Sequence, residues 1–186
     1  MTETRRLFIA VPVPDNLQDF FNQQQSAFEH EAVRFVPAAN LHLTVYFLGE
    51  VPTSHLENIM TALQQVASHT TPFHLELERL EPGPKPKSPR LIWARFATHP
   101  TFTQLCTAFT TQLGISSSNQ ANYIPHITLA RFRKGTKPPL LSSVTVPPQQ
   151  ITLPVSSVAL WESKLASPHP IYQSLILYPL TGPEGA

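Results

Sequence analysis

The sequence predicts an α+β fold of two pseudo-symmetric lobes. Each lobe is an antiparallel sheet bearing one histidine motif, with helices outside and a central cleft between the lobes. Three observations predict it. The pattern His-x-Thr-aliphatic occurs twice, as His42-Leu43-Thr44-Val45 and, 84 residues later, as His126-Ile127-Thr128-Leu129. Each copy lies in an apolar, β-branched run, and a strand and a helical pattern precede each run. The 20 prolines fall mostly between patterned segments, where they punctuate loops.

The elements follow in order. Leu7 to Val13 reads as a buried strand closed by proline. Asp15 opens a helical pattern in which Leu17, Phe20, Phe21, Ala27 and Phe28 recur near 3.6 residues, and Phe35-Val36-Pro37 ends that unit. Leu41 to Leu48 is the first motif strand. Ser54 and Glu57 have capping-box spacing ahead of a second helix, whose stripe is Leu56, Ile59, Met60, Leu63, Val66 and Ala67. Phe73 to Leu80 alternates cleanly, as a half-buried strand does. A Pro- and Lys-rich loop separates it from the strand Leu91 to Phe96. Pro100 opens a third helix, lined by Phe102, Leu105, Cys106, Phe109 and Leu113, with Gly114 as its stop. A polar loop over Ser116 to Asn122 leads to the second motif strand, Tyr123 to Phe132. Beyond the basic loop Lys134 to Pro139, Ile151 to Trp161 and Ile171 to Leu180 read as closing strands. The tail Thr181 to Ala186 is expected to be polar, frayed and disordered.

A chain of 186 residues can hold one domain with a sizeable core, so residues 1–186 are read as one two-lobed domain. The formal net charge of +1 excludes a protein that holds nucleic acid by bulk charge. Any attraction for phosphate must come from local patches. Two clusters are candidates: Lys85, Lys87, Arg90 and Arg95, and Arg131, Arg133, Lys134 and Lys137. They either steer a phosphate backbone or are merely solvated loops. Cys106 is the only cysteine, so an intrachain disulfide and a thiolate metal cluster are both excluded. This agrees with a reducing compartment, and a cytoplasmic monomer is expected. The N-terminus lacks a signal-peptide pattern, and no apolar run approaches the ~18 residues of a membrane span. Six glycines form no phosphate-binding loop, and the six other histidines lack metal-ligand spacing and read as surface residues.

On a strand, side chains alternate, so His42 and Thr44 share one face, as do His126 and Thr128. Two imidazoles across a cleft suit in-line displacement at phosphorus, where base and acid stand on opposite sides of the phosphorus atom. The threonine hydroxyls would bind the non-bridging oxygens. The imidazoles do the proton work, so no cofactor or metal is expected.

The stretch from Arg34 to Val51, with Asn40-Leu41-His42-Leu43-Thr44 at its centre, resembles the first signature of the two-histidine phosphoesterase superfamily. Pro125-His126-Ile127-Thr128-Leu129-Ala130-Arg131 resembles the second. More closely, the chain resembles the bacterial and archaeal RNA 2′,3′-cyclic phosphodiesterases, also called LigT-type or 2′-5′ RNA ligase proteins. Arg6 to Val11, Pro89 to Trp93, Trp161-Glu162-Ser163 and Ile171-Tyr172 match as well, so the resemblance spans nearly the whole chain. Val45 departs from the family's usual leucine. The resemblance implies a hydrolase that opens an RNA terminal 2′,3′-cyclic phosphate to a 2′-phosphomonoester. His42 would be the proton donor, His126 the proton acceptor, and Thr44 and Thr128 the phosphate ligands. Reversal would join ends through a 2′-5′ linkage.

Four further residues are candidates for substrate binding. Arg131, five residues after His126, binds phosphate or is a solvated strand end. Phe47, five after His42, stacks on a base or joins the core. Tyr46, on the His42 face by parity, lines the cleft or packs against the lobe. Tyr123 has the same alternatives. Two other functions compete with the leading one: a phosphodiesterase of small nucleotides or ADP-ribose cyclic phosphate, and a non-catalytic RNA- or nucleotide-binding module.

Overall fold

Ten strands and three helices make up the fold in the computed structural model, which describes residues 3–85, 87–115, 123–139, 141–145, 151–167 and 169–183. In chain order they are β1 (Thr4–Pro12), α1 (Asp15–Gln24), β2 (Val33–Phe35), β3 (His42–Pro52), α2 (Leu56–His69), β4 (Phe73–Gly83), β5 (Leu91–Phe96), α3 (Pro100–Gln112), β6 (His126–Phe132), β7 (Val144–Thr145), β8 (Thr152–Val155), β9 (Ser157–Lys164) and β10 (Ile171–Pro179). The strand order is β10-β9-β1-β3-β6-β5-β4-β7, with β2 beside β6 and β8 beside β4. The two motif strands are therefore neighbours at the centre. Outward from them, β1, β9 and β10 on one side answer β5, β4 and β7 on the other. All the pairings are antiparallel, and β3 meets β6 through Leu43 opposite Ile127.

One core runs under both lobes. Leu7, Ile9 and Val11 of β1, Leu43 and Val45 of β3, and Ile127 and Leu129 of β6 all join it. The helices cover it with stripes of helical period. Ile59, Leu63 and Val66 come from α2, and Phe102, Leu105 and Phe109 from α3. Cys106 is buried in the same stripe, and burial pushes its thiol up to about 12, so it packs as a small apolar side chain.

Several sequence expectations change. Ser54 makes no capping bond. Thr53–His55 forms a 3-10 turn instead, and α2 starts at Leu56. Val33–Phe35 is a short strand on β6, which the helical reading of this unit had absorbed. The apolar run from Ile151 divides at Ser156. Its first part pairs with β4 in one lobe and its second with β1 and β10 in the other. Periodicity cannot reveal where a continuous apolar run changes partners. The tail is not frayed over residues 181–183: Thr181 N–H donates to Ala67 O and Gly182 N–H to Thr70 O. A Cβ on Gly182 would lie 2.5 Å from the Thr70 backbone, so the chain is pressed against the end of α2. Residues 184–186 and the polar loop over 116–122 lie outside the described residues. His99, read as a surface residue, accepts a hydrogen bond from Thr101 N–H at 3.3 Å as the N-cap of α3, and it stacks on Phe73. No described helix is long and apolar enough to cross a membrane.

Candidate active site

The register of β3 and β6 assembles the site. With Leu43 opposite Ile127 in an antiparallel pair, His42 falls beside Thr128 and Thr44 beside His126. Leu43 and Ile127 are fully buried, so both His-Thr pairs are turned to the other, half-buried face. The two halves are related by a local two-fold through the Leu43–Ile127 pair.

Each histidine is held by the same device. His42 Nδ1–H donates to Asn40 O at 2.7 Å, and His126 Nδ1–H donates to Ile124 O at 2.8 Å. A carbonyl can only accept, so the neutral rings carry their proton on Nδ1 and leave Nε2 with a free lone pair. Both rings are pulled toward that neutral form. Burial lowers His42 to about 4; the Asn40 carbonyl opposes this, and the charges of Arg131 and His126 add to it. Burial also lowers His126, with the Ile124 carbonyl opposing and Arg131 adding.

Aromatic side chains fix the rings laterally. Phe8 and Tyr172 lie 4.8 Å and 5.3 Å from the His42 ring, with Trp161 at 6.1 Å. Trp93 lies 4.8 Å from the His126 ring. Its indole N–H reaches Glu81 at 3.3 Å. The same carboxylate lies 3.6 Å from Arg95, which sits opposite His126 in register. Asn40 also donates its side-chain amide to Pro170 O at 2.8 Å, joining the turn before His42 to the β9–β10 loop. Phe8, Trp93, Trp161, Tyr172 and Asn40 were not singled out as site residues from the sequence. The signal available was aromatic density on the strands flanking the two motifs.

A cavity of about 210 Å³ opens on the His42 side, lined by Phe8, His42, Thr44, Phe47, Arg131 and Tyr172. Arg6, Ser163 and, from the β9–β10 loop, Leu165 and Pro170 complete its wall. His126 and Thr128 stand beside it on β6 rather than in its lining. Ideal alternation misplaces the residues that follow each motif, because both strands carry a bulge. In β3, Thr44 aligns with Ala10 but Tyr46 with Ile9, so Val45 is the extra residue. Tyr46 thus turns to the core, and Phe47 aligns with Phe8 at the cavity, 50% exposed. In β6, Thr128 aligns with Trp93 but Ala130 with Ile92, so Leu129 is extra and Arg131 returns to the His126 face. The parity readings of Tyr46 on the site face and Phe47 in the core are both reversed. Tyr123 packs against the core and does not line the cavity. Arg95 is ion-paired with Glu78 and Glu81 on the sheet and does not belong with the loop cations. No cluster of three metal-binding side chains occurs among the described residues.

Comparison with known proteins agrees with this geometry. The sequence model of the 2′-5′ RNA ligase superfamily matches residues 13–166. A Thermus thermophilus protein named RNA 2′,3′-cyclic phosphodiesterase is 30% identical, covering 97% of this chain and 92% of its own. An Escherichia coli protein of that name is also 30% identical, covering 97% and 99%. Among solved structures, a Thermus thermophilus protein superposes with a TM-score of 0.83 at 26% identity over 96% of this chain and all of its own. The Escherichia coli LigT complex with 3′-AMP superposes with 0.74 at 28% identity, over 96% and 99%.

Proposed function

The chain belongs to the 2′-5′ RNA ligase superfamily, and from that premise we propose that it hydrolyses the terminal 2′,3′-cyclic phosphate of RNA to a 2′-phosphomonoester. The observation that carries this reading is the two-fold pair of His-Thr couples on β3 and β6, each histidine with Nε2 free.

In the proposed step, His126 Nε2 takes a proton from water as the water oxygen bonds to phosphorus. The bond from phosphorus to the 3′-oxygen breaks on the opposite side, and that oxygen takes the proton carried on His42 Nε2. The 2′-ester bond is untouched, so the product is a 2′-phosphate with a free 3′-hydroxyl. Thr44 and Thr128 donate to the non-bridging oxygens, where charge gathers. His42 is assigned the acid because the cavity with Phe8, Phe47 and Tyr172 lies on its side. That wall suits the nucleoside and its departing oxygen. Both rings are neutral at rest, so the bound phosphate anion must favour the protonated form of His42. With a 5′-hydroxyl in place of water as the nucleophile, the 3′-oxygen leaves in the same way and a 2′-5′ linkage forms. Phe47 and Arg131 are proposed as substrate contacts, whereas Tyr46 and Tyr123 act only through packing. The proposal includes a single two-lobed domain acting as a cytoplasmic monomer.

The test is incubation of a short RNA ending in a 2′,3′-cyclic phosphate in excess EDTA, with 2′- and 3′-monophosphates separated. A 2′-phosphate is expected, and it should be lost in both His42→Ala and His126→Ala proteins that remain folded. No product, or a 3′-phosphate, would overturn the reading. A substrate with sulfur at the bridging 3′ position tests the acid assignment, because a thiolate leaves without a proton. It should rescue the His42 variant and not the His126 variant.

A further inference from the structure

Twelve of the thirteen lysines and arginines fall into two populations. Arg5, Arg6, Arg79, Arg95 and Lys164 each lie within 4.0 Å of a carboxylate. Among the described residues, Lys85, Lys87 and Arg90 have no such partner, nor do Arg131, Arg133, Lys134 and Lys137. Six of these seven come from two connections, β4 to β5 and β6 to β7, Arg131 comes from the end of β6, and all are exposed.

The sheet brings the two connections together. Leu91 pairs with Arg131, and Phe132 N–H donates to Arg90 O at 3.2 Å, so the start of β5 lies against the end of β6. Both connections are tied down. Arg90 N–H donates to Gly83 O, Arg133 N–H to Ala32 O, and Thr136 N–H and Oγ1–H to Arg133 O. Gly135, at a φ of 82°, supplies the left-handed turn between Lys134 and Lys137. Arg133 spends its Nε on the Glu31 carbonyl. Like charges fixed this close repel one another in the free protein, and a polyanion would relieve that repulsion.

The rim is continuous with the candidate active site. Arg131 lines the cavity beside His42, and β6 carries the chain from His126 to Phe132, next to Arg133, over about 20 Å at ~3.3 Å per residue. We propose that Lys85, Lys87, Arg90, Arg133, Lys134 and Lys137 form a binding track for the RNA phosphodiester backbone on the 5′ side of the terminal nucleotide. The proposal deepens the reading of the site as an RNA-end phosphodiesterase and rests on it. It makes the enzyme selective for polymers over mononucleotides by charge, without reading sequence.

The test compares a mononucleoside 2′,3′-cyclic phosphate with RNAs extended at the 5′ end, in the native protein and in a quadruple variant. The variant is Lys85→Gln, Lys87→Gln, Lys134→Gln and Lys137→Gln, and none of these side chains touches the proposed reacting groups. kcat/KM should rise with 5′ extension in the native protein. For three phosphate contacts at a single-strand slope of about 0.7 each, it should fall roughly 20-fold between ~50 and ~200 mM salt. The variant should lose the gain from length and most of the salt dependence while keeping its rate on the mononucleotide. A native protein that gains nothing from length, or a variant that keeps the gain, overturns the track while leaving the phosphodiesterase reading intact. If neither substrate turns over, that reading has failed. Fluorescence anisotropy with a labelled RNA ending in a 2′-phosphate then decides the track. Binding weakened in the variant supports it, and equal or absent binding overturns it.

Discussion

His42 and His126 are set by their local backbone before any substrate arrives. Each ring gives its Nδ1 proton to a carbonyl two residues back, which leaves one nitrogen per ring for chemistry. Burial holds both below the ordinary histidine value, so neither is charged at neutral pH in the free protein. A reaction needing one protonated and one neutral imidazole therefore draws on a minor form of the free enzyme. The profile of kcat/KM should peak below pH 6.5 and decline toward neutrality, because kcat/KM reports the free enzyme. The profile of kcat should lie at higher pH, since a bound phosphate anion favours the imidazolium. Coincident profiles would contradict this account.

The same burial makes stability depend on pH. An unfolded histidine titrates near 6.5, and folded His42 near 4, so the unfolded chain takes up protons first as pH falls. His42's contribution is complete above pH 6.5 and is lost between 6.5 and 4, on the order of 3 kcal/mol. His126 acts in the same direction. Denaturant titrations at a series of pH values should show a smaller decline in His42→Gln than in the native protein. Equal declines would place the effect elsewhere.

Among the elements, the two bulges matter most. Val45 in β3 and Leu129 in β6 are the unpaired residues, and each reverses the alternation after its motif. Without them, Phe47 and Arg131 would be buried against the core and Tyr46 would face the site. Nothing in either strand's composition marks a bulge, because both extra residues are aliphatic and suit a regular strand equally well. β4 shows a second kind of constraint. Gly83 lies under Trp93, and a Cβ there would come within 2.6 Å of the indole. Trp93 in turn backs the His126 ring. Gly83→Ala should therefore displace the indole, destabilise the protein by about 1–3 kcal/mol, and lower kcat through His126. A variant with native kcat and native stability would show that the indole has room to move.

At the scale of the whole molecule, function depends on how the lobes join. Leu43 opposite Ile127 is the only residue pair in register between β3 and β6 among the described residues, and both side chains are fully buried. The contact sets the relative position of the two His-Thr couples. Leu153 of β8 is also fully buried but pairs with Leu75, away from the motif strands. Ile127→Ala and Leu153→Ala should each cost about 2–5 kcal/mol as core truncations. Only the former should also lower kcat under conditions where both proteins are folded. Equal kcat values would mean that the flanking strands hold the register alone.

The sequence by itself determined the α+β class, the two motif strands and the helix stripes, because burial imposes its period on each segment locally. It also carried the identity of the two histidines and two threonines, because a repeated pattern is visible without coordinates. Tertiary structure alone decided which side chains join them. The partner of Ile151 to Trp161, the seat of the 181–183 segment on α2, and the turning of Phe47 and Arg131 into the site all follow from strand pairing. So does the separation of Arg95 from the loop cations. Pairing is a relation between distant segments, and a period read along one strand contains no information about the register of its neighbour.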